Sequence, residues 1–219
     1  MVTPGPARAE PPSAVPAADG AVPAAITEAL ILAGRAMDAR FWVPATAGNL
    51  SHRLDSESLA ITRSGCHKGH LSPTDIMRVD LHGQPIGGGR PSAETLLHCQ
   101  IYQVFPQIRA VLHSHSVAAT VLSRAPATTI QLRDYEVLKA FPGITSHETA
   151  IDLPVFENSQ DIAGLAGAIA PHLAAGLPGF YLIRGHGAYA WGPDMPTALA
   201  RLEALEFLLT CELESRRSI

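Results

Sequence analysis

The chain has 219 residues, of which 47% are hydrophobic and 16% charged, as expected for a globular protein with one sizeable core. The formal net charge of −4 argues against a surface built to bind nucleic acid or another polyanion. No apolar stretch reaches the ~18–20 residues needed to cross a bilayer, so we expect no membrane partner.

Residues 1–24 are mostly Ala, Pro, Gly and Val, and prolines interrupt the apolar core that a signal peptide would need. We therefore predict a disordered tail over 1–24 and a single folded domain over 25–219. Cys66, Cys99 and Cys211 have spacings that fit neither a zinc ribbon nor a disulfide framework. A reducing, cytoplasmic location is the simpler interpretation.

Hydrophobic spacing and turn residues predict helices mixed with short strands. This order favours an α/β fold, with helices on both faces of a mixed sheet, over a strict βαβ repeat. In chain order the predicted elements are a helix 25–40, a strand ending at 51, a strand 59–62, a hairpin 76–85, a helix 93–105 capped by Ser92, a strand 108–116, a helix 116–123, a helical turn 134–140, a strand 152–156, a helix from a Ser159 cap to 170, a strand run 180–187 and a helix 194–216.

Three histidines form the most informative pattern in the chain. His113 and His115 close a strand-like apolar run, and side chains two apart on a strand share a face. His186 follows a second such run and is flanked by glycines. These ligands can fill three corners of a tetrahedron and leave the fourth open, as in catalytic zinc sites. The pattern therefore predicts a metal site; imidazoles suit zinc, but also iron, cobalt or manganese.

A metal on three neutral imidazoles keeps its full charge and is a strong Lewis acid, so the chemistry also needs an acid or base nearby. Glu94 and Glu136 are the two candidates. Glu94 lies in the first turn of a predicted helix, where its carboxylate could equally serve only the helix dipole. Glu136 follows the metal strand and could equally belong to a solvated helix face. The residues alone leave both alternatives open.

Small hydrogen-bonding turns predict an anion site. Asn49, Ser64, Gly65 and Ser92 each offer a hydroxyl, an amide or free backbone N–H groups. Ser92 adds the start of a predicted helix, a natural seat for a phosphate. Each turn is weak evidence alone, since such turns are common. Nucleotide binding is unsupported, because the chain has neither a Walker A motif nor a Gly-x-Gly-x-x-Gly fingerprint.

Five segments stand out by their order and combination: 46–51 (TAGNLS), 62–65 (TRSG), 91–94 (PSAE), 113–115 (HSH) and 185–187 (GHG). Together they resemble the class II aldolase/adducin family. The resemblance covers roughly residues 25–215 and implies a catalytic domain with a three-layer α/β/α fold and a largely antiparallel mixed sheet. It further implies a divalent metal on the three histidines, taken as one zinc per subunit, a sugar-phosphate substrate and a homotetramer.

Within the family, the chain most resembles the dehydratases that remove water from a methylthio-substituted ketose 1-phosphate in methionine salvage. In that group the acid/base glutamate matches Glu136, whereas in the aldolases it matches Glu94, which this chain also has. The segment around Glu136, absent from the aldolases, decides for the dehydratases. The rivals are a sugar-phosphate aldolase and a non-catalytic adducin-like module, which would be expected to have lost the histidines.

Overall fold

The computed structural model describes residues 21–217. Residues 1–20 of the disordered tail predicted over 1–24 lie outside the described residues, so the tail stays a prediction. The described elements are α1 (Ala24–Asp38), β1 (Asn49–Arg53), β2 (Ser58–Thr62), β3 (Ile76–Asp80), β4 (Pro85–Ile86), α2 (Thr95–Val104), β5 (Ala110–Ser114), α3 (Val117–Leu122), β6 (Thr129–Arg133), β7 (Ala150–Phe156), α4 (Ile162–Ala174), β8 (Phe180–Ile183), β9 (Gly187–Gly192) and α5 (Met195–Arg217).

The strands described here form one sheet in the order β4-β3-β2-β1-β5-β9-β8-β7-β6. Neighbouring strands are antiparallel except β7 and β8, which run parallel. The sheet is therefore mixed and largely antiparallel, as predicted. The strand β5, which carries His113, lies at the centre of the sheet. It pairs with β1 on one side and with β9 on the other.

Helices cover both faces of the sheet, because strand side chains alternate between two apolar clusters. On β5, Leu112 joins the cluster that packs under α1, α3 and α5, whereas Val111 joins the cluster under α2 and α4. This arrangement confirms the predicted three-layer α/β/α sandwich. No helix within residues 21–217 is both long and apolar enough to cross a membrane.

Two predicted helix starts were wrong. The helix α2 begins at Thr95 with Glu94 at its N-cap position, because Pro91 pairs with Arg63 in a β-bridge and keeps the preceding segment extended. Ser92 belongs to the turn before the helix: its carbonyl accepts the Thr95 N–H at 3.2 Å and the Thr95 hydroxyl at 2.7 Å.

The helix α4 begins at Ile162 instead of just after Ser159. Asp161 caps it by accepting the Gly164 N–H at 3.0 Å, while Ser159 shapes the preceding turn by accepting the Asp161 N–H. The edge strand β6 was not predicted at all; its exposed Thr129, Gln131 and Arg133 alternate with buried residues.

Candidate metal centre

The end of β5 directs consecutive side chains to opposite faces of the sheet. The His113 ring points toward the α2 and α4 side and stacks on Tyr189 of β9, with ring centroids 4.1 Å apart. Ser114 points the other way, and its hydroxyl donates to the Glu206 carboxylate on α5 at 2.5 Å. His115 follows the strand, where its N–H donates to the Trp42 carbonyl at 2.6 Å. This local geometry fixes both histidines of the His-x-His pattern.

His186 lies in the tight turn between β8 and β9, and Gly187 makes that position accessible. A side-chain Cβ at Gly187 would lie 1.9 Å from the Ser114 carbonyl oxygen and 3.1 Å from Cε1 of His113. Only glycine allows β9 to approach β5 this closely. The glycine next to the third histidine therefore lets His186 reach the histidines of β5.

Four side chains converge on one point: Glu94, His113, His115 and His186 offer ligand atoms that all lie within 4.8 Å of one another. Glu94 Oε2 lies 3.1 Å from Nε2 of His113, and Glu94 Oε1 lies 3.2 Å from Nε2 of His186. The two Nε2 atoms are 3.3 Å apart. The structure thus brings the three predicted ligands together and adds Glu94 to them.

The donor set fits a divalent cation. His113 Nδ1 lies 3.0 Å from the Ala188 carbonyl oxygen, which can only accept, so Nδ1 carries a proton and Nε2 faces the cluster. His186 is held in the same sense by Asn158, whose Oδ1 lies 3.3 Å from its Nδ1. Glu94 Oε1 is buried without a hydrogen-bond partner. A cation would satisfy this oxygen and the converging nitrogens together, and three imidazoles with one carboxylate suit zinc or a similar ion.

Charge and burial set the protonation states of these groups. Burial alone would raise the pKa of Glu94, but the imidazoles of His113 and His186 beside it and the hydrogen bond from Asn49 outweigh it and hold the pKa below its ordinary value. Burial, together with the nearby imidazoles and Lys68, lowers the pKa of His115 to about 3. At neutral pH Glu94 is therefore a carboxylate and His115 a neutral imidazole, the forms in which they can ligate a metal.

A buried series of hydrogen bonds positions the carboxylate of Glu94. The Asn49 amide donates to Glu94 Oε2 at 2.8 Å, and Asn49 Oδ1 accepts from Nε2 of His98. Ser51 Oγ lies 2.7 Å from Nδ1 of His98 and 2.8 Å from the Tyr102 hydroxyl. Burial lowers the pKa of His98 to about 3, so this ring is neutral and carries one proton. With that proton on Nε2, every donor in this series of hydrogen bonds has an acceptor, and the Asn49 amide group must face Glu94.

We expect His98→Leu to lower the free energy of unfolding by ~1–3 kcal/mol, because it leaves buried polar groups of Asn49 and Ser51 without a partner. Urea denaturation of the metal-free protein measures the change. His82→Leu, at an exposed histidine outside the chain of hydrogen bonds, is the matched control. Equal stability of the two variants would show that the hydrogen bonds through His98 contribute nothing to the stability of the fold.

The predicted anion turns share one cavity with the metal cluster. Its volume is about 350 Å³, and Asn49, Ser64, Gly65 and Ser92 line it together with Glu94, His115 and His186. Asn158 and the buried Lys68 also line the cavity, although neither was predicted to belong to the site. Lys68 lies three residues after Gly65, and Asn158 ends a segment shared with the dehydratases, so both positions carried a signal.

Glu136 does not belong to the cluster that this chain forms. Its side chain is 69% exposed and pairs with Lys139 and His147. Glu136 follows the end of β6, which runs antiparallel to β7, whereas β7 runs parallel to β8 and His186 follows the end of β8. Glu136 therefore lies toward the opposite end of the strands from His186.

Comparison with known proteins points in one direction. The sequence profile of the class II aldolase and adducin N-terminal domain matches residues 28–213. The methylthioribulose-1-phosphate dehydratase of Acidiphilium cryptum (strain JF-5) is 58% identical over 94% of this chain and 98% of its own length. The protein of the same name from Alcanivorax borkumensis is 52% identical, over 86% of this chain and 90% of its own length. The crystal structure of L-fuculose-1-phosphate aldolase from Thermus thermophilus superposes with a TM-score of 0.73 at 28% identity, covering 89% of this chain and 95% of that one.

Proposed function

The chain belongs to the class II aldolase and adducin family, and from that premise we propose that it is a hydro-lyase. It converts 5-methylthioribulose 1-phosphate to 2,3-diketo-5-methylthiopentyl 1-phosphate in methionine salvage, with one zinc ion per subunit. The observation that carries the proposal is the convergence of Glu94 and three histidines in a cavity that is also lined by predicted phosphate-binding groups. Identities of 52–58% to proteins named for this dehydratase favour it over an aldolase.

The residues assigned to the reaction have two roles, metal binding and proton transfer. Glu94, His113, His115 and His186 would hold the divalent ion, which when bound supplies positive charge beside the substrate's C2 ketone. That ketone acidifies the C3 hydrogen. We assign Glu136 as the base that removes the C3 proton and then, protonated, donates to the departing C4 hydroxyl. One water leaves, and the resulting enol tautomerises to the 2,3-diketone.

The position of Glu136 implies that the reaction requires an assembly of at least two copies of the chain. Since Glu136 and the cluster lie toward opposite ends of the strands, we propose that Glu136 serves the cavity of another copy of the chain. Its large exposed fraction leaves it free for such a contact. The predicted homotetramer supplies the neighbouring copy. The cytoplasm remains the proposed location, and the three cysteines are free in the described part of the chain.

Incubation of the purified protein with methylthioribulose 1-phosphate tests the function. A product lighter than the substrate by one water, identified by mass, is the expected result. Dihydroxyacetone phosphate and an aldehyde would instead assign the aldolase reaction, which the likeness to the Thermus enzyme keeps as the second candidate. No turnover by protein with one zinc per chain would contradict both reactions.

We propose that the substrate phosphate sits among Asn49, Ser64, Gly65 and Ser92, and we expect Ser92→Asp to raise KM strongly. The new carboxylate would repel the phosphate within the same cavity. Steady-state kinetics with the phosphorylated substrate measures the effect, and Ser92→Asn, nearly equal in size but neutral, is the matched control. An unchanged KM for Ser92→Asp would place the phosphate elsewhere.

A further inference from the structure

Lys68 is a buried cation that takes no part in the metal binding or proton transfer proposed for the reaction. Only 2% of the residue is exposed. Its ammonium group donates to the Thr46 carbonyl at 2.7 Å and to the Cys66 carbonyl at 2.6 Å. Within residues 21–217 no carboxylate forms a salt bridge with it. An ammonium has three donors, so two are used and the third is left for another partner.

The surroundings of Lys68 show where that partner would lie. Lys68 and Thr46 both line the cavity that holds the metal cluster, as do Ser64 and Gly65 on the same loop. A buried cation without a counter-charge is unfavourable, and an anion bound in the cavity would remove the penalty.

We propose that Lys68 is the charge partner of the phosphate monoester of the substrate. The Lys68 ammonium, the turn at Ser64 and Gly65, and the Ser92 hydroxyl offer several donors to a group with three strong acceptor oxygens. A phosphate held there would have its negative charge beside the Lys68 ammonium, in the cavity that the metal-binding cluster also lines. This inference rests on the proposed function for the identity of the substrate, but not for the binding of phosphate.

Inorganic phosphate tests the inference without any turnover. We expect phosphate to raise the thermal unfolding midpoint of the wild-type protein, and to do so much less in Lys68→Met and Lys68→Gln. Arg217→Met is the matched control, because it removes one exposed positive charge on α5, in a pair with Glu214. The midpoint without phosphate reports whether each variant folds. A wild-type response to phosphate in both folded Lys68 variants would overturn the proposal.

The wild-type chain allows a second measurement, because Lys68 and Lys139 are its only lysines. Labelling the lysine side-chain nitrogens with ¹⁵N gives two signals, and variants of each lysine assign them. Added phosphate is expected to shift the Lys68 signal; Lys139 pairs with Glu136, and its signal serves only for the assignment. Saturating phosphate that leaves the Lys68 signal unmoved would contradict the proposal even if no Lys68 variant folds.

Kinetics separates failure of this inference from failure of the proposed function. If the protein dehydrates methylthioribulose 1-phosphate, Lys68→Gln should raise KM roughly 10- to 100-fold, the usual cost of a lost hydrogen bond to a charged group. If it does not, the loss of phosphate binding in the Lys68 variants still holds and points to another phosphorylated substrate. An unchanged KM in an active Lys68→Gln enzyme would contradict the role of Lys68 alone.

Discussion

Replacement of His113 by alanine is expected to remove most of the bound metal and nearly all activity. His113 is fully buried between Tyr189 and the other ligands, so no other side chain can take its place. The loss should be at least the ~10²–10³-fold that follows removal of one preorganised charge-stabilising group. His115→Ala and His186→Ala are expected to behave alike, since all four ligand atoms lie within 4.8 Å of one another.

Metal content measured by mass spectrometry, beside kcat on the same preparations, checks this expectation. His82→Ala, at an exposed histidine, controls for the loss of an imidazole elsewhere. Bound metal should be zinc, one per chain, with nitrogen–metal distances of about 2.0–2.1 Å in a crystal structure. Full metal occupancy in all three single variants would refute the ligand assignment.

Local periodicity explains why the clustering of the three histidines could be predicted. Side chains alternate along a strand, so His113 and His115 on one strand end had to share a face, and Ser114 had to face away. The glycine after His186 marked a close approach of two backbones. These signals lie within a few residues of one another, and the observed cluster contains the three predicted histidines.

The remaining features depend on contacts between distant segments. Glu94 was predicted inside a helix, yet it occupies the cap position and turns into the cluster because Asn49, from another strand, holds its carboxylate. The chain of hydrogen bonds through His98 and the burial of Lys68 likewise join segments far apart in sequence. The position of Glu136, toward the end of the strands opposite the cluster, follows from the direction of β6, a strand that hydrophobic spacing did not predict.

Glu136→Gln is expected to lower kcat by ~10²–10⁴-fold while zinc stays bound, because the amide keeps the size of the side chain and loses its basicity. Glu94→Gln is expected to weaken metal binding first, since that carboxylate lies 3.1 Å from His113 within the cluster. Glu203→Gln, another exposed and ion-paired glutamate, is the matched control for the charge change. Metal content and kcat, measured together, separate the two roles. An inactive Glu94 variant with bound zinc, beside a nearly normal Glu136 variant, would reverse the assignment and favour the aldolase-type reaction.

Mixed assemblies decide whether Glu136 acts in a neighbouring copy. Chains carrying Glu136→Gln and chains carrying His113→Ala are each expected to be inactive alone. Refolded together, they should regain activity, because some intact metal sites then face a neighbour that still has Glu136. If Glu136 served the cavity of its own chain, every mixed assembly would lack one of the two groups in each site and stay inactive. Zinc bound to the Glu136→Gln chains in the mixture confirms that the recovered sites are theirs. Activity regained on mixing would therefore assign the proton-transfer group and the need for assembly in one experiment.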